Sequence, residues 1–354
     1  MSTQNHIDDD SLYLQANQLF KQLLDLAGAH SNKDQLEAIF SSAFKLAKNN
    51  TSRLDLKITN AALSEMAQAF ETFAPYRFTP KVTIFGSARI QPSDPLYLQT
   101  MNLAQLLAKK GWMVVTGAGP GVMAAATEGA GREKSFGVNI RLPFEQGANS
   151  FIATDSKLVE MKYFFTRKLM LLKESSGFVV LPGGFGTLDE VFELLTLQQT
   201  GKAEPAPIVL LDSIGGTYWQ GWSKFLKEQV ASKNLISAQD HNLYSITDDV
   251  KKASDELLNF YSNYHSRRFV GNLLILRMKN RPTQACLDEI NRKFSDISNG
   301  EIKIIPPHKV EIDDKDALDL ARLGIKFDRI HHGKLRLLID FINTCETEKS
   351  FPKN

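Results

Sequence analysis

Val179-Val180-Leu181-Pro182-Gly183-Gly184-Phe185-Gly186-Thr187-Leu188-Asp189-Glu190 is the stretch around which the chain is organised. Residues 177–181 form an apolar run without polar alternation, the pattern of a buried parallel strand. Pro182 ends it, and Gly183, Gly184 and Gly186 follow at once. From Thr187 the pattern turns helical, with Leu188, Val191, Phe192, Leu194 and Leu195 on one face. The glycines therefore sit where a strand hands over to a helix N-terminus. Backbone N–H groups there have no intrahelical partner, and the helix dipole favours an anion. Glycines let that backbone approach a phosphate, and the Thr187 hydroxyl can cap the helix or donate to the phosphate. Glu190, in the first turn, turns a carboxylate toward the same crevice.

Working outward, strands and helices alternate on both sides of this stretch. Residues 82–85 read as a strand followed by Gly86-Ser87-Ala88-Arg89, then a helix that ends at Gly111. Strand 112–116 leads into Gly117-Ala118-Gly119-Pro120-Gly121 and a helix of small residues, 122–131. Strand 136–140, helix 164–175, the central strand 177–181 and a helix to about residue 199 follow, then strand 207–211, helix 219–230, a short strand 243–246 and helix 248–261. Such alternation predicts an α/β fold, a doubly wound, Rossmann-like parallel sheet covered on both faces. Ligands of these sheets bind beyond the C-terminal strand ends, where all three glycine-bearing turns lie.

The flanks differ. Residues 12–75 repeat leucine and phenylalanine at helical spacing, with breaks at 28–32 and 49–52, and predict an N-terminal helical layer for packing or oligomerisation with no chemistry of its own. After Arg267-Arg268 the reading is a small α+β appendage: strand 269–278, helix 283–294, strand 301–305, helix 315–323, and 334–342 as strand or helix. Its basic residues (Arg267, Arg268, Arg277, Lys279, Arg281, Arg329, His331, His332, Lys334, Arg336) read as a solvated surface, with a regulatory anion or nucleotide site as the minor alternative. The implied division is 1–78, 79–264 and 265–354.

Of 354 residues, 43% are hydrophobic and 23% charged, and 42 Lys+Arg against 40 Asp+Glu give +2. No global field recruits nucleic acid or an anionic membrane, so anion binding must be local. Cys286 and Cys345 are too few for a disulfide scaffold and lack CxxC spacing, so a reducing compartment fits best. The polar, acidic segment 1–11 is not a signal peptide, and no apolar run approaches about 18 residues. The expectation is a soluble, cytoplasmic protein. His331-His332 lacks metal-ligand spacing, and no metal site is expected.

Gly117-Ala118-Gly119-Pro120-Gly121 is spaced GxGxG rather than GxGxxG, and the ribose-binding acid expected about twenty residues on is absent, which disfavours a dinucleotide. There is no GxxxxGK[ST]. Three close-approach loops around one crevice suit a mononucleotide. Arg167, on the helix before the central strand, brings a rigid fork suited to a phosphate or to Glu190.

Tyr163-Phe164-Phe165-Thr166-Arg167-Lys168, followed by the PGGxGTxxE run that ends at Glu190, resembles the LOG ("lonely guy") family of cytokinin-activating phosphoribohydrolases and their bacterial relatives. Gly86-Ser87-Ala88-Arg89 and Gly119-Pro120-Gly121-Val122-Met123 match that family's two earlier loops, so the resemblance spans about residues 80–250. It implies hydrolysis of the N-glycosidic bond of a purine nucleoside 5′-monophosphate, AMP or an N6-modified AMP. By position it implies Arg167 and Glu190 as the catalytic pair. Gly183, Gly184, Gly186 and Thr187 would hold the 5′-phosphate, with Ser87, Arg89, Gly119, Gly121 and Lys168 also at the substrate. It implies no metal or cofactor, and a homo-oligomer of two or more chains. Ala124 and Thr127 make the crevice wall less polar than in relatives, which points to general nucleotide turnover rather than cytokinin activation. The competing readings are a non-catalytic nucleotide or cofactor carrier of the same fold, a pyridoxal phosphate enzyme with Lys168 as the only nearby lysine, and a DNA-binding relative.

Overall fold

The computed structural model describes residues 9–29, 31–141 and 147–348. Most of the polar segment read as no signal peptide lies outside them. Two compact units divide between Ser64 and Glu65. The first holds α1 (Asp9–Leu26), α2 (Lys33–Lys48) and the beginning of α3 (Arg53–Phe73). The leucine and phenylalanine spacing brings Phe20 onto Phe40, stacked with centroids 4.3 Å apart. Gly28 and Asn50, both at positive φ, supply the breaks.

The second unit contains the rest of α3 and two sheets. Along the chain the first sheet and its helices run β1 (Lys81–Phe85), α4 (Pro95–Lys109), β2 (Met113–Thr116), α5 (Val122–Ala130), β3 (Ser135–Ile140), β4 (Leu158–Met161), α6 (Phe164–Lys173), β5 (Gly177–Val180), α7 (Phe185–Gln199), β6 (Ile208–Leu211), α8 (Tyr218–Phe225), β7 (Ser245–Thr247) and α9 (Val250–Asn259). The seven strands are parallel and ordered β4-β3-β2-β1-β5-β6-β7. The fold is the doubly wound α/β sheet that the alternation predicts. Residue period two divides the strands between two cores. Val82, Ile84, Val179 and Val209 face α4, α5 and α9 through Leu103, Val122 and Leu257. Phe85, Phe178, Val180 and Leu210 face the other side, where Phe73, Met170, Leu171, Val191, Leu194 and Trp219 close the layer.

β4 has no counterpart in the sequence reading. Residues 158–161 alternate in burial at the sheet edge, too short a signal to separate from loop. Strand order reverses between β1 and β5, so the crevice of this sheet opens beyond their C-terminal ends.

The second sheet comprises β8 (Tyr264–Val270), β9 (Leu273–Met278), β10 (Lys303–Ile304) and β11 (Ala321–Ile325), antiparallel in the order β10-β11-β9-β8. It packs against α10 (Gln284–Phe294) and α12 (His332–Thr344), and α11 (Lys309–Asp313) lies between β10 and β11. Four expectations are corrected in this part of the chain. The strand expected at 269–278 is a hairpin, turned at Gly271 with φ 58°. Residues 315–323 are not helical: Lys315 and Ala317 have positive φ, and β11 pairs with β9, Leu323 opposite Leu276. The leucine spacing misleads there because the stretch runs from a turn into the first residues of β11. Arg322, 1% exposed, turns into an ion cluster rather than solvent.

That cluster also corrects the solvated-surface reading for part of the basic residues, while Lys279, Arg281 and Arg329 are exposed. Glu311 accepts from Arg277 Nε at 2.8 Å and Arg322 Nε at 3.0 Å, and Asp316 accepts from Arg277 at 2.6 Å and Arg268 at 2.8 Å. Arg336 and His332 are buried as well. Finally, Cys286 and Cys345 do not stay apart. They form a disulfide between α10 and the end of α12, with Cα atoms 6.1 Å apart. Proximity of residues 59 apart in sequence is a tertiary event, invisible to cysteine counting.

Candidate active site

Three loops meet at the switch point. The Ser87 N–H donates to the Pro182 carbonyl at 3.1 Å, and the Ser87 carbonyl accepts from Val122 N–H at 3.0 Å. One residue thus stitches the β1, β2 and β5 loops together. Gly121, at φ 66°, must be glycine twice over, because a Cβ there would stand 2.4 Å from the Ser87 carbonyl oxygen. Gly119 faces Met123. Arg89 is exposed beside this junction, its N–H donating to Ser87 Oγ at 3.1 Å.

Helix α7 begins at Phe185, two residues earlier than the apolar spacing suggests, with Gly184 at its N-cap and no capping side chain. Thr187 therefore lies inside the first turn rather than at the cap. It is buried against Gly183, where a Cβ would meet its Oγ1 at 2.2 Å. Gly184 and Gly186 differ from Gly183: a Cβ on either would meet no atom within 4 Å. Neither has positive φ. Nothing in the protein itself demands glycine at these two positions, and the open space lies at a helix N-terminus whose first N–H groups have no intrahelical partner.

Glu190, one turn further, is 7% exposed. Burial raises its pKa above the ordinary carboxylate range, opposed by the Arg167 guanidinium. Arg167 reaches from α6 across the ends of β2 and β3: its Nε donates to the Val138 carbonyl at 3.0 Å and Nη2 to the Gly117 carbonyl at 3.4 Å. Gly117 is what admits it, since a Cβ there would lie 1.9 Å from Nη2.

Lys168 turns away from this pair. Its Nζ lies 2.5 Å from Asp189 and 2.9 Å from Glu193, which clamps α6 to α7. Burial works against its charge, but hydrogen bonds to the two carboxylates prevail and its pKa is raised. An ammonium so held does not fit the neutral amine that a pyridoxal phosphate Schiff base needs.

Three contacts lie outside the sequence reading. Asn149 Nδ2 donates to the carbonyls of Ala118 and Gly119, each at 3.0 Å, and holds Ala118 at φ 60°. Tyr218 Oη, at the start of α8, donates to the Gly183 carbonyl at 2.6 Å. Glu65 of α3 accepts from Lys162 N–H at 2.9 Å and Thr166 Oγ1 at 2.7 Å, at the head of α6. No local motif marks any of the three. Among the described residues, no cluster of His, Cys, Asp or Glu could hold a metal ion, and no helix is long and apolar enough to cross a membrane.

Residues 121–257 match the family model described as "Possible lysine decarboxylase". The cytokinin riboside 5′-monophosphate phosphoribohydrolase of Mycobacterium tuberculosis is 30% identical over 135 residues, which cover 35% of this chain and 68% of that protein. The probable cytokinin riboside 5′-monophosphate phosphoribohydrolase LOGL3 of Oryza sativa subsp. japonica is 31% identical over 101 residues, 28% of this chain and 46% of the relative. The chain thus spans a little under half the length of the rice relative. Among solved structures, the molybdenum cofactor carrier protein of Chlamydomonas reinhardtii is similar at 19% identity and a TM-score of 0.37, over 51% of this chain and 98% of that one. With the mycobacterial enzyme matched over two thirds of its length, the chain belongs to the LOG family, whose curated relatives carry the name phosphoribohydrolase.

Proposed function

We propose that the chain hydrolyses the N-glycosidic bond of a purine nucleoside 5′-monophosphate, AMP or an N6-modified AMP, to the free base and ribose 5-phosphate. One observation carries the reading: unobstructed glycine backbone at the N-terminus of α7, one turn from a buried carboxyl. In this reading the 5′-phosphate rests on the first-turn N–H groups at Gly184, Gly186 and Thr187. The helix rise then brings the sugar alongside Glu190. Cleavage develops positive charge on the anomeric carbon and ring oxygen, and the Glu190 carboxylate stabilises it and assists attack of water. Water adds to the anomeric carbon, and the departing base takes a proton. Arg167 orients Glu190 or contacts the nucleotide. Ser87, Arg89, Gly119 and Gly121 build the facing wall, and Lys168 acts by holding α6 against α7. The three-part division 1–78, 79–264 and 265–354, and assembly as a homo-oligomer, belong to the same proposal.

The test is incubation of the purified protein with a panel of nucleoside 5′-monophosphates, following base and ribose 5-phosphate, beside Glu190→Ala. Release that disappears in the variant supports the hydrolase and ranks the bases. Monophosphate binding by both proteins without release replaces it with the carrier reading.

A further inference from the structure

Arg167 is placed by a helix that does not cap itself. Tyr163 stands at the N-cap of α6 without a capping side chain, and the first turn carries no acidic residue. A carboxylate from α3 instead holds the head of the helix, at the residue before the N-cap and at a first-turn hydroxyl. Glu65 Oε1 accepts from the Lys162 N–H at 2.9 Å, and Oε2 lies 2.7 Å from Thr166 Oγ1, a side chain fully buried next to Arg167. A carboxylate at this end also opposes the positive end of the helix dipole. The same helix continues along α6: Met66, Ala69 and Phe73 share a core with Met170 and Leu171, and Lys173 Nζ stands 5.0 Å from the Phe70 ring centroid. α6 is thus held at its head by Glu65, along its buried face, and at its last turn.

We infer that Glu65 is a positioning residue for Arg167. The α3 carboxylate fixes the start of α6, and so decides where the guanidinium sits against Gly117 and Val138. The part of α3 from Glu65 to Phe73, outside the family's motifs, is on this account part of the site. The functional arm of the inference rests on the phosphoribohydrolase reading; the structural arm does not.

The experiment compares wild type, Glu65→Ala and Glu65→Gln in the full chain by two readouts. The first is amide hydrogen exchange across residues 162–170. The second is AMP turnover, each variant also being made in an Arg167→Ala background. Glutamine keeps a carbonyl for the Lys162 N–H and donates its amide to Thr166 Oγ1, so Glu65→Gln should stay close to wild type. In Glu65→Ala, exchange at the head of α6 should quicken about tenfold or more. Its kcat should fall on the order of ten- to a hundredfold, with KM changed much less. In the Arg167→Ala background the Glu65→Ala change should have no further effect, a result that general loosening of the fold would not give. Unchanged exchange in Glu65→Ala, or losses that add in full to those of Arg167→Ala, overturns the inference. If the wild type hydrolyses no monophosphate, the hydrolase reading falls and the exchange data alone decide the role of Glu65.

Discussion

Glu190 carries a mostly buried carboxyl, and its raised pKa gives a sign to two measurements. Unfolded, it ionises in the ordinary glutamate range. Folded, it keeps its proton to higher pH. Its contribution to stability is therefore fullest in acid and declines as pH rises from the ordinary range through the folded value. Glu190→Gln removes that decline, so its melting temperature should exceed wild type at neutral pH and converge with it in acid, while turnover is lost. If the ionised carboxylate acts in hydrolysis, the acid limb of the kcat profile should lie above the ordinary glutamate range. The glycines separate in the same way. Gly186→Ala enters open space inside a helix and should leave the melting temperature equal or slightly higher, by up to about 1 kcal/mol in stability. Monophosphate binding, measured by calorimetry, should weaken at least about tenfold. Gly117→Ala, by contrast, displaces the Arg167 guanidinium and should reduce turnover.

At the scale of elements, the ion cluster between β9, α11 and β11 separates burial from apolarity. Desolvation opposes ionisation of Glu311, but the His308 N–H and the guanidinium groups of Arg277 and Arg322 outweigh it, and its pKa is lowered. A depressed carboxyl contributes stability above its unfolded range and loses it as pH falls through the folded value. Glu311→Ala leaves two buried arginines short of their acceptor and should cost about 3–5 kcal/mol, read by denaturant unfolding at neutral pH. The deficit should shrink in acid. Residues 315–323 read as helix because the stretch joins a turn, with Lys315 and Ala317 at positive φ, to the first three residues of β11, too few to show strand alternation. α7 is legible in the sequence nearly as it stands, because its apolar face and the glycines before it are local features. Its true start at Phe185 escaped, since N-cap geometry depends on backbone angles rather than on side-chain type.

For the whole molecule, the Cys286–Cys345 disulfide closes a loop of 59 residues around the second sheet. By chain entropy such a closure is worth up to about 4 kcal/mol, so Cys286→Ser/Cys345→Ser should lower the melting temperature of that core. An equal melting temperature in the paired mutant would remove the disulfide as a stabilising element. Consecutive residues alone specify the alternation of strands and helices, the parallel doubly wound sheet and the three glycine turns at its C-terminal edge. Apolar periodicity and backbone freedom are properties of consecutive residues, so they survive without the third dimension. That Ser87 joins all three loops, that Gly117 admits Arg167, and that Glu65 holds the head of α6 from nearly a hundred positions away emerges with the folded chain alone. It alone brought the two cysteines together and buried Arg322. Each of these depends on which distant segments meet when the sheet closes, and on the desolvation that follows, neither of which is encoded in local spacing.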